Sequence, residues 1–277
     1  MEKKEYPYEY SSVQLGKFFG ITVKGIEYYE KKGLISPQRI GTEKERRFNL
    51  KDTYKLFLSR YFKQADFSLK EIHNIFDQSD ISTVSKIIEE KEKEIHKKEL
   101  LIHAIDESMK HTSELLKRIS QINKPFFDVE IEAPNMKWLF VRNMNSPHID
   151  NQQQLKEYKS WNELMPVTHG SLRYSKNDVL NNTELNPDIG MLISTENFKK
   201  FDFQESDRVI SVDPKLYIHT ILIGDANEIK RDTWLMPIRQ FVEDNKFRIS
   251  GDIITSLIFV KRNTRYDEAW IPIHRSM

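Results

Sequence analysis

The stretch GITVKGIEYYEKKG, residues 20–33, contains a tight turn followed by a short helix, and it decides the fold of this end of the chain. Gly20 suits the left-handed backbone that ends a helix, and Thr22 is a typical N-cap for the next one. The preceding helix, for which Ser12 is the expected N-cap, has its apolar residues on one face. Two helices of about two to three turns with so short a connection predict a helix-turn-helix.

The residues after these helices are basic and irregular, which predicts a hairpin, or wing, beside them. Such modules place a few side chains against base edges and hold phosphates with basic flanks. Lys24 is expected to contact a base or a phosphate, and Tyr28 a phosphate. The wing candidates for phosphate or minor-groove contacts are Arg39, Lys44, Arg46 and Arg47. The alternative is an ordinary solvated basic face.

The charge of the chain is divided unevenly along its length. The chain has 43 Lys and Arg against 42 Asp and Glu, a net charge of +1. Residues 10–64 carry twelve basic and five acidic residues, whereas residues 125–277 carry nineteen and twenty-two. A basic N-terminal part joined to a slightly acidic remainder is expected when one end of a protein binds phosphates.

Composition and motifs exclude several classes of protein. The chain has no cysteine, which excludes disulfides, thiolate metal sites and cysteine nucleophiles. Its apolar runs are short and its N-terminus lacks an apolar core, so we expect neither a membrane span nor a secretory signal, but a cytoplasmic protein. No zinc-protease, phosphate-loop or nucleophile-elbow motif is present, so we expect no enzyme and no cofactor or metal.

Residues 81–122 have the most regular pattern in the chain. Twelve positions alternate spacings of three and four: Ile81, Val84, Ile88, Lys91, Ile95, Lys98, Ile102, Ile105, Met109, Thr112, Leu116 and Ile119. This pattern predicts a coiled-coil seam on a helix of roughly 60 Å. A second copy of the chain is the simplest partner, and a solitary amphipathic helix is the alternative. The dimerisation candidates are Ile88, Ile95, Ile102, Ile105, Met109 and Leu116.

The remainder, residues 126–277, is predicted to form two similar β-α-β-β halves. The first half has strands over Met136–Asn143, Gly170–Tyr174 and Asp188–Ser194, with a helix over Gln152–Leu164. The second half has strands over Lys215–Ile223, Asp252–Val260 and Asp267–His274, with a helix over Asn227–Asp244. Duplicated halves of this kind leave a cleft where a small molecule can bind.

Several spaced motifs resemble the MerR family of bacterial transcription regulators. They are YSSVQLGK (10–17), GITV (20–23), IEYYE (26–30), GLISP (33–37) and FSLKEI (67–72). The duplicated pattern and EAWIPI (268–273) are similar to the GyrI-like effector domain of multidrug-sensing members. The resemblance implies a multidomain chain: an all-α winged helix-turn-helix DNA-binding domain (1–78), an antiparallel coiled-coil dimerisation helix (79–124), and an α+β GyrI-like effector-binding domain of duplicated halves (125–277).

The resemblance also implies a function. Such a dimer binds a palindromic promoter site, distorts it so that RNA polymerase can engage, and responds to a small organic effector, with a lipophilic cation as one candidate. Glu268 shares a strand face with Trp270, and an acid among aromatic rings is suited to hold an organic cation. The effector-binding candidates are Glu268, Trp270, Tyr217, Trp138 and Tyr174.

Two positions depart from the family pattern. Glu27 stands where an arginine usually contacts phosphate, so we expect it either to turn toward Lys31 or to shift the docking on DNA. Multidrug-binding relatives have a Glu on the strand before the last. The alignment places Thr255 there, with a shift of one residue as the alternative, and this favours a neutral or different ligand.

Two other functions remain open from the residues. The C-terminal domain could hydrolyse or sequester a small molecule, which predicts turnover by residues 126–277. The chain could also be a ligand-independent DNA-binding regulator, which predicts promoter activity that no compound changes.

Overall fold

A computed structural model describes residues 10–41, 44–77, 80–121, 128–130, 135–146, 151–181, 185–212, 216–226 and 231–275. The chain forms two compact units, residues 1–100 and residues 101–277. The boundary between them falls inside one long helix, whereas the sequence predicted boundaries on either side of that helix. The predicted boundaries at residues 78 and 124 lie outside the described residues.

The first unit contains a small antiparallel sheet, several short helices and the start of the long helix. Its elements are β1 (Tyr10–Ser11), α1 (Ser12–Phe19), α2 (Val23–Lys31), β2 (Gln38–Ile40), β3 (Glu45–Phe48), α3 (Leu50–Gln64), α4 (Leu69–Asp77) and α5 (Ile81–Gln121), which continues into the second unit. The predicted helix-turn-helix is the pair α1–α2, and the wing is the hairpin β2–β3. The all-α description needs correction, because β1 joins the hairpin in a three-stranded sheet of order β1-β3-β2.

Side-chain caps fix the ends of the helix-turn-helix. Ser11 caps α1, one residue before the predicted Ser12: its Oγ accepts a hydrogen bond from the backbone N–H of Gln14, whose side chain accepts one from the Ser11 N–H. Gly20 ends α1 with φ of 63°, a conformation that costs glycine little. Thr22 caps α2 as predicted, because its Oγ1 accepts a backbone hydrogen bond of 3.1 Å from the first turn.

One face of α5 is apolar and exposed. It consists of Ile81, Ile88, Ile95, Ile102, Met109 and Leu116, which recur every seven residues; we call it the α5 stripe. Several of the other predicted seam positions have partners within the chain. Ile105 packs against a buried cluster of the second unit, Lys91 Nζ lies 3.3 Å from Glu71 Oε1, and Lys98 pairs with Asp66. The exposed seam is therefore narrower than the sequence predicted.

The second unit is built around one antiparallel sheet. Its elements, after the end of α5, are β4 (Asp128–Glu130), β5 (Met136–Asn143), α6 (Gln152–Asn162), β6 (His169–Tyr174), α7 (Lys176–Leu180), β7 (Asp188–Ser194), α8 (Thr195–Lys200), β8 (Val209–Val212), β9 (Tyr217–Asp225), α9 (Arg231–Asp244), β10 (Phe247–Ile249), β11 (Ile253–Lys261) and β12 (Thr264–Arg275). The strand order is β4-β9-β12-β11-β6-β7-β5-β8, and β10 pairs with β12.

The strands of the two predicted halves lie on either side of the β6–β11 contact. Strands β7 and β5 follow β6 on one side, and β12 and β9 follow β11 on the other. The predicted starts at Lys215 and Asn227 lie outside the described residues. That the two halves are duplicates stays a prediction.

Alternate side chains of β12 pack into different clusters. Ala269, Ile271 and Ile273 belong to a buried cluster that includes Leu235 and Ile238 of α9. Trp270 belongs to another cluster, with residues of β5, β7 and β9. Because successive side chains of a strand point to opposite faces, Glu268 shares the face of Trp270, away from the α9 core.

Gly190 of β7 is expected to be intolerant of any side chain. A β-carbon at this position would overlap the Trp138 ring and the Leu139 backbone of β5. We expect Gly190→Ala to lower the free energy of unfolding of this unit by about 1–3 kcal/mol, because overpacking forces neighbours out of place. Gly170→Ala on the adjacent strand is the control, since its β-carbon meets nothing within 4 Å. Urea denaturation followed by tryptophan fluorescence compares them, and equal stabilities would contradict the prediction.

Candidate DNA interface and ligand cavity

The first unit exposes the outer face of α2. Lys24 and Tyr28 are both exposed and lie one turn apart, so they share a face of the helix. Lys32 Nζ lies 5.6 Å from the centre of the Tyr28 ring. Tyr29 points inward, against the buried clusters that contain Ile26 and Leu34. The structure therefore places Lys24 and Tyr28 on one accessible surface.

The wing is connected to α2 by ion pairs. The Arg46 guanidinium donates to Glu27 Oε1 at 2.9 Å and to Glu30 Oε2 at 2.7 Å. Arg39, opposite Arg46 in the hairpin, donates to the other oxygen of Glu30 at 2.7 Å. Glu27 therefore turns toward Arg46 and not toward Lys31, which was one of the two predicted alternatives, because the hairpin brings a guanidinium within reach.

The remaining wing candidates lie nearer the tip or the outer edge of the hairpin. Arg47 Nη2 lies 2.9 Å from Glu45 Oε2 on the same strand. Lys44 is exposed and has φ of 51°, next to Glu45 at the start of β3. Three of the four predicted wing cations thus have carboxylate partners in the structure, which the sequence pattern did not indicate.

These wing pairs are accessible to solvent. The Arg46 and Glu27 side chains are 27% and 33% exposed. Fully exposed ion pairs contribute only about 0–1 kcal/mol to stability, whereas the Arg46 pairs are partly buried. The carboxylates therefore hold the wing arginines in position.

A cavity of about 490 Å³ lies in the second unit. It is bordered by the C-terminal part of α5 and by strands of the sheet. Its polar lining consists of Glu107, Ser108, His111, Thr112, His169, Ser194, Asn197, His219, Ser256 and Glu268. The apolar lining includes Leu115, Met136, Leu192, Leu257 and Trp270. A mainly apolar wall with a few polar groups, at this volume, is typical of sites for small organic molecules.

Glu268 is a buried carboxylate in this lining. His219 Nε2 lies 2.7 Å from its Oε1, and His111 Nε2 lies 2.9 Å from its Oε2. An ionised carboxylate only accepts hydrogen bonds, so both imidazoles donate through Nε2–H. The Glu268 and His219 side chains are 4% and 10% exposed, whereas the His111 side chain is 50% exposed.

The two histidines keep Glu268 ionised. Burial by itself would raise the pKa of the carboxyl, but the hydrogen bonds and charges of His111 and His219 together outweigh burial and lower the pKa to about 2. The hydrogen bond to Glu268 in turn raises the pKa of His111 above 6.5, against the opposing effect of burial. The His111–Glu268 contact is therefore an ion pair in weakly acidic solution.

The aromatic and imidazole rings near Glu268 also make defined contacts. The His219 and Trp270 rings stack, with centroids 5.7 Å apart and planes 8° from parallel. Ser108 Oγ donates to the Pro166 carbonyl at 2.6 Å and lies 3.3 Å from His169 Nε2. Burial lowers the pKa of His169, which favours its neutral form.

Three predicted effector-binding aromatics lie away from the cavity. Trp138 is fully buried, and its Nε1–H donates to Ser171 Oγ at 2.9 Å. Tyr174 belongs to the cluster beneath α9, and Tyr217 packs with Trp138 and Trp270. Only Glu268 and Trp270 of the five predicted residues line the cavity. The other three are buried core residues.

The strand before the last presents Ser256, and not Thr255, beside Glu268. The β11–β12 register places Ser256 opposite Glu268 and Thr255 opposite Ala269. Ser256 lines the cavity, whereas the buried Thr255 Oγ1 accepts a hydrogen bond from the Leu172 N–H. Which residue of β11 corresponds to the Glu of the multidrug-binding relatives stays a prediction.

Sequence reasoning missed the histidines of the cavity. The sequence offered one indication of His219, because it alternates with Tyr217 along a predicted strand. The structure then places His219 opposite Trp270 of β12. The sequence provided no indication that His111 contacts Glu268, because the two residues are 157 positions apart. Its helical spacing suggested a surface position, as for the other histidines of α5.

Comparison with known families finds a match within the first unit. Residues 10–79 match the profile described as MerR HTH family regulatory protein, so the resemblance predicted for this part of the chain is confirmed. No curated protein sequence matches the chain significantly. Among the described residues there is no helix that could cross a membrane and no cluster of His, Asp or Glu that could hold a metal ion.

Solved structures resemble the chain weakly. The EcmrR–DNA complex in EcmrR-RPo, determined by cryo-EM, has 17% identity and a TM-score of 0.38, over 96% of this chain and 100% of that chain. A MerR family transcriptional regulator from Bacillus cereus has 22% identity and a TM-score of 0.36, over 41% and 87%. A hydrolase from Listeria innocua has 12% identity and a TM-score of 0.34, over 57% and 98%.

Proposed function

We propose that this chain is a dimeric bacterial transcription regulator, active in the cytoplasm, that binds a palindromic promoter site. The observation that carries the proposal is the MerR-type helix-turn-helix of residues 10–79, with its exposed α2 face and its basic wing. The proposed DNA contacts are Lys24, Tyr28, Arg39, Lys44, Arg46 and Arg47. The partners follow from this function: double-stranded DNA and RNA polymerase.

The α5 stripe supports the proposal of a homodimer. A left-handed coiled coil has apolar residues at two positions of every heptad. The α5 stripe supplies one of these two positions, and it is exposed in the single chain. Two DNA-binding units at the ends of one coiled coil require two half-sites, hence a palindrome.

The cavity of the second unit supports control by a small organic ligand. We propose a GyrI-like effector-binding domain that includes the C-terminal part of α5, because Ser108, His111 and Thr112 line the cavity together with the sheet. Smooth bending of a promoter costs about 1–6 kcal/mol. A ligand that prefers the distorting state by a few kcal/mol can therefore switch transcription.

Selection of bound sequences from random DNA tests the DNA-binding function. The full chain is expected to enrich an inverted repeat, and fluorescence anisotropy then measures its affinity for that site. Replacing Arg46 and Arg47 by Ala should weaken binding and lower its dependence on salt, because fewer counterions are released. The function fails if no sequence is enriched, and the wing assignment fails if both variants bind as the wild type does.

Glu27→Gln is expected to strengthen DNA binding. The change removes one of the two carboxylates that hold Arg46, so its charge is more available to phosphate. We expect an affinity gain of about 2- to 10-fold and a steeper slope of log K against log salt, by up to about one phosphate contact. Glu92→Gln, an exposed position on α5, is the control for the loss of one acidic charge. Equal gains in the two variants would contradict a local effect at Arg46.

A further inference from the structure

The second unit contains another cavity, of about 430 Å³, which we call the second cavity; the cavity beside Glu268 is the first cavity. Gly170 of β6 and Met191 of β7 line the second cavity, whereas their neighbours His169 and Leu192 line the first. Because successive side chains of a strand point to opposite faces, these strands separate the two cavities. Among the described residues, Leu257 of β11 alone borders both.

The lining of the second cavity combines apolar side chains with positive charge. Among the described residues, it contains Arg142 of β5 and Arg265 of β12, but no Asp, Glu, Lys or His. Its apolar part includes three methionines, whose flexible side chains adapt to irregular ligands: Met144, Met165 and Met191. The described lining of the first cavity has the opposite character, with two glutamates and neither Lys nor Arg. A ligand that complements the second cavity is therefore negative.

Arg265 is held by a carboxylate two residues further along β12. Its Nε lies 2.7 Å from Asp267 Oδ2, and its Nη2 donates to Asp267 Oδ1 at 2.8 Å. Both residues lie on the face of β12 opposite to Glu268, as the alternation along a strand requires. Because Asp267 balances the charge of Arg265, the uncompensated charge of the lining belongs to Arg142.

Arg142 has hydrogen-bond donors that the protein itself uses poorly. Its Nη1 lies 3.3 Å from the Ser146 carbonyl oxygen and 3.5 Å from those of Asn143 and Met144, which is long for a hydrogen bond. Among the described residues, Arg142 has no carboxylate partner. A guanidinium presents its N–H groups as a planar fork that matches a carboxylate. Arg142 can therefore bind an incoming carboxylate through two parallel hydrogen bonds.

Apolar side chains remain exposed at the border of the second cavity. Met165, Leu257 and Val260 are 47%, 39% and 45% exposed. Single apolar side chains on a surface need no explanation, but several around one cavity indicate a binding site. The backbone also leaves space there, because a β-carbon on Gly170 would meet nothing within 4 Å.

We propose that the second cavity binds an organic carboxylate with an apolar body. The carboxylate pairs with Arg142, and the body lies against Met165, Leu257 and Val260. A small inorganic anion would leave these apolar side chains exposed, and a neutral ligand would leave the charge of Arg142 unpaired. The site goes beyond the effector role proposed for the first cavity and does not depend on it.

Isothermal titration calorimetry of the full chain tests the proposal with three probes: 6-phenylhexanoate, its amide 6-phenylhexanamide, and acetate. We expect 6-phenylhexanoate to bind about tenfold or more tightly than the amide, because hydrogen bonds between charged groups are the strong ones. It should exceed acetate by at least as much, because acetate lacks the apolar body. Arg142→Gln should bind the carboxylate no more tightly than the amide.

Gly170→Val locates the site. Its side chain should fill part of the second cavity and weaken the binding of both phenylhexyl probes, and Gly170 does not line the first cavity. Arg248→Gln is the control for the loss of one positive charge, because Arg248 is exposed on β10 and does not line the second cavity. It should bind 6-phenylhexanoate as the wild type does.

Four results would overturn the proposal. Equal affinity for the carboxylate and the amide, or for 6-phenylhexanoate and acetate, would overturn the ligand class, and so would the absence of binding by every probe. Wild-type affinity in Gly170→Val would place the ligand elsewhere. Urea denaturation shows whether each variant is folded; if Gly170→Val is not, the comparison of Arg142→Gln with Arg248→Gln decides. The selection of DNA sites remains a separate test of the DNA-binding function.

Discussion

Ile102→Glu is expected to convert the proposed dimer to a monomer. Ile102 lies near the midpoint of α5, Ile81–Gln121, and its side chain is exposed in the single chain. In an antiparallel pair of α5 helices, the midpoints meet, so the two introduced carboxylates would face each other in an apolar seam. An unpaired buried charge costs about 3–5 kcal/mol, which corresponds to at least a 100-fold loss of dimer affinity.

The loss of the dimer should also weaken DNA binding. A monomer can occupy only one half-site, and loss of the second attachment reduces apparent affinity by about 10²- to 10⁴-fold. Sedimentation equilibrium measures the assembly, and anisotropy with the selected site measures the binding. Circular dichroism should be unchanged, because Ile102 does not belong to a buried cluster of either unit.

His103→Glu is the matched control for this prediction. His103 follows Ile102 in sequence, lies about 100° further round the helix, and is exposed on the polar side. It should remain a dimer and keep its DNA affinity. The α5 stripe is not the dimer interface if Ile102→Glu sediments as the wild type does.

The first unit could be predicted from sequence because its determinants are local. Gly20 and Thr22 specify a turn and a cap through their own backbone preferences, and the structure has both where expected. The ion pairs of the wing could not be predicted in the same way. Arg46 meets Glu27 only because a hairpin folds back on α2, and many acids were available to each arginine.

The cavity was harder to predict than the elements that form it. Strand alternation correctly placed Glu268 and Trp270 on one face of β12, since that period is set by the backbone. The same alternation does not tell which face of each strand borders a cavity and which is covered by other residues. Trp138, Tyr174 and Tyr217 were assigned by residue type alone, and they proved to be core residues.

The stability of the second unit is expected to depend on pH through Glu268. Its pKa in the folded protein is about 2, against an ordinary value of 4.5. A lowered folded-state pKa gives stability that is present above pH 4.5 and is lost as the pH falls toward 2. At 1.36 kcal/mol per unit, the wild type should be more stable than Glu268→Gln by about 3 kcal/mol in weakly acidic solution.

At alkaline pH, the contribution of the His111–Glu268 pair to stability decreases because His111 loses its proton. Because its pKa is raised in the folded state, its contribution is complete below pH 6.5 and declines as the pH rises through its folded-state pKa. The stability difference between the wild type and Glu268→Gln should therefore be largest between about pH 4.5 and pH 6.5. Urea denaturation followed by tryptophan fluorescence reports on this unit, since all four Trp lie in it.

Asp267→Asn is a control on the adjacent residue, for which we expect the opposite change in stability with pH. Asp267 is on the other face of β12, where burial raises its pKa to about 6 despite two hydrogen bonds from Arg265. A raised pKa means that the wild type loses stability as the pH rises from 3.8 to 6. We therefore expect Asp267→Asn to be more stable than the wild type at pH 8 by about 1–3 kcal/mol, and no more stable at pH 3.

Glu268 and Asp267 are both buried, but their charges have opposite effects on the free energy of unfolding because their partners differ. Two histidines compensate Glu268, whereas one arginine two residues away does not offset the burial of Asp267. The difference curves of Glu268→Gln and Asp267→Asn should therefore run in opposite directions between pH 3 and pH 6. Parallel curves would mean that His111 and His219 do not stabilise the Glu268 charge.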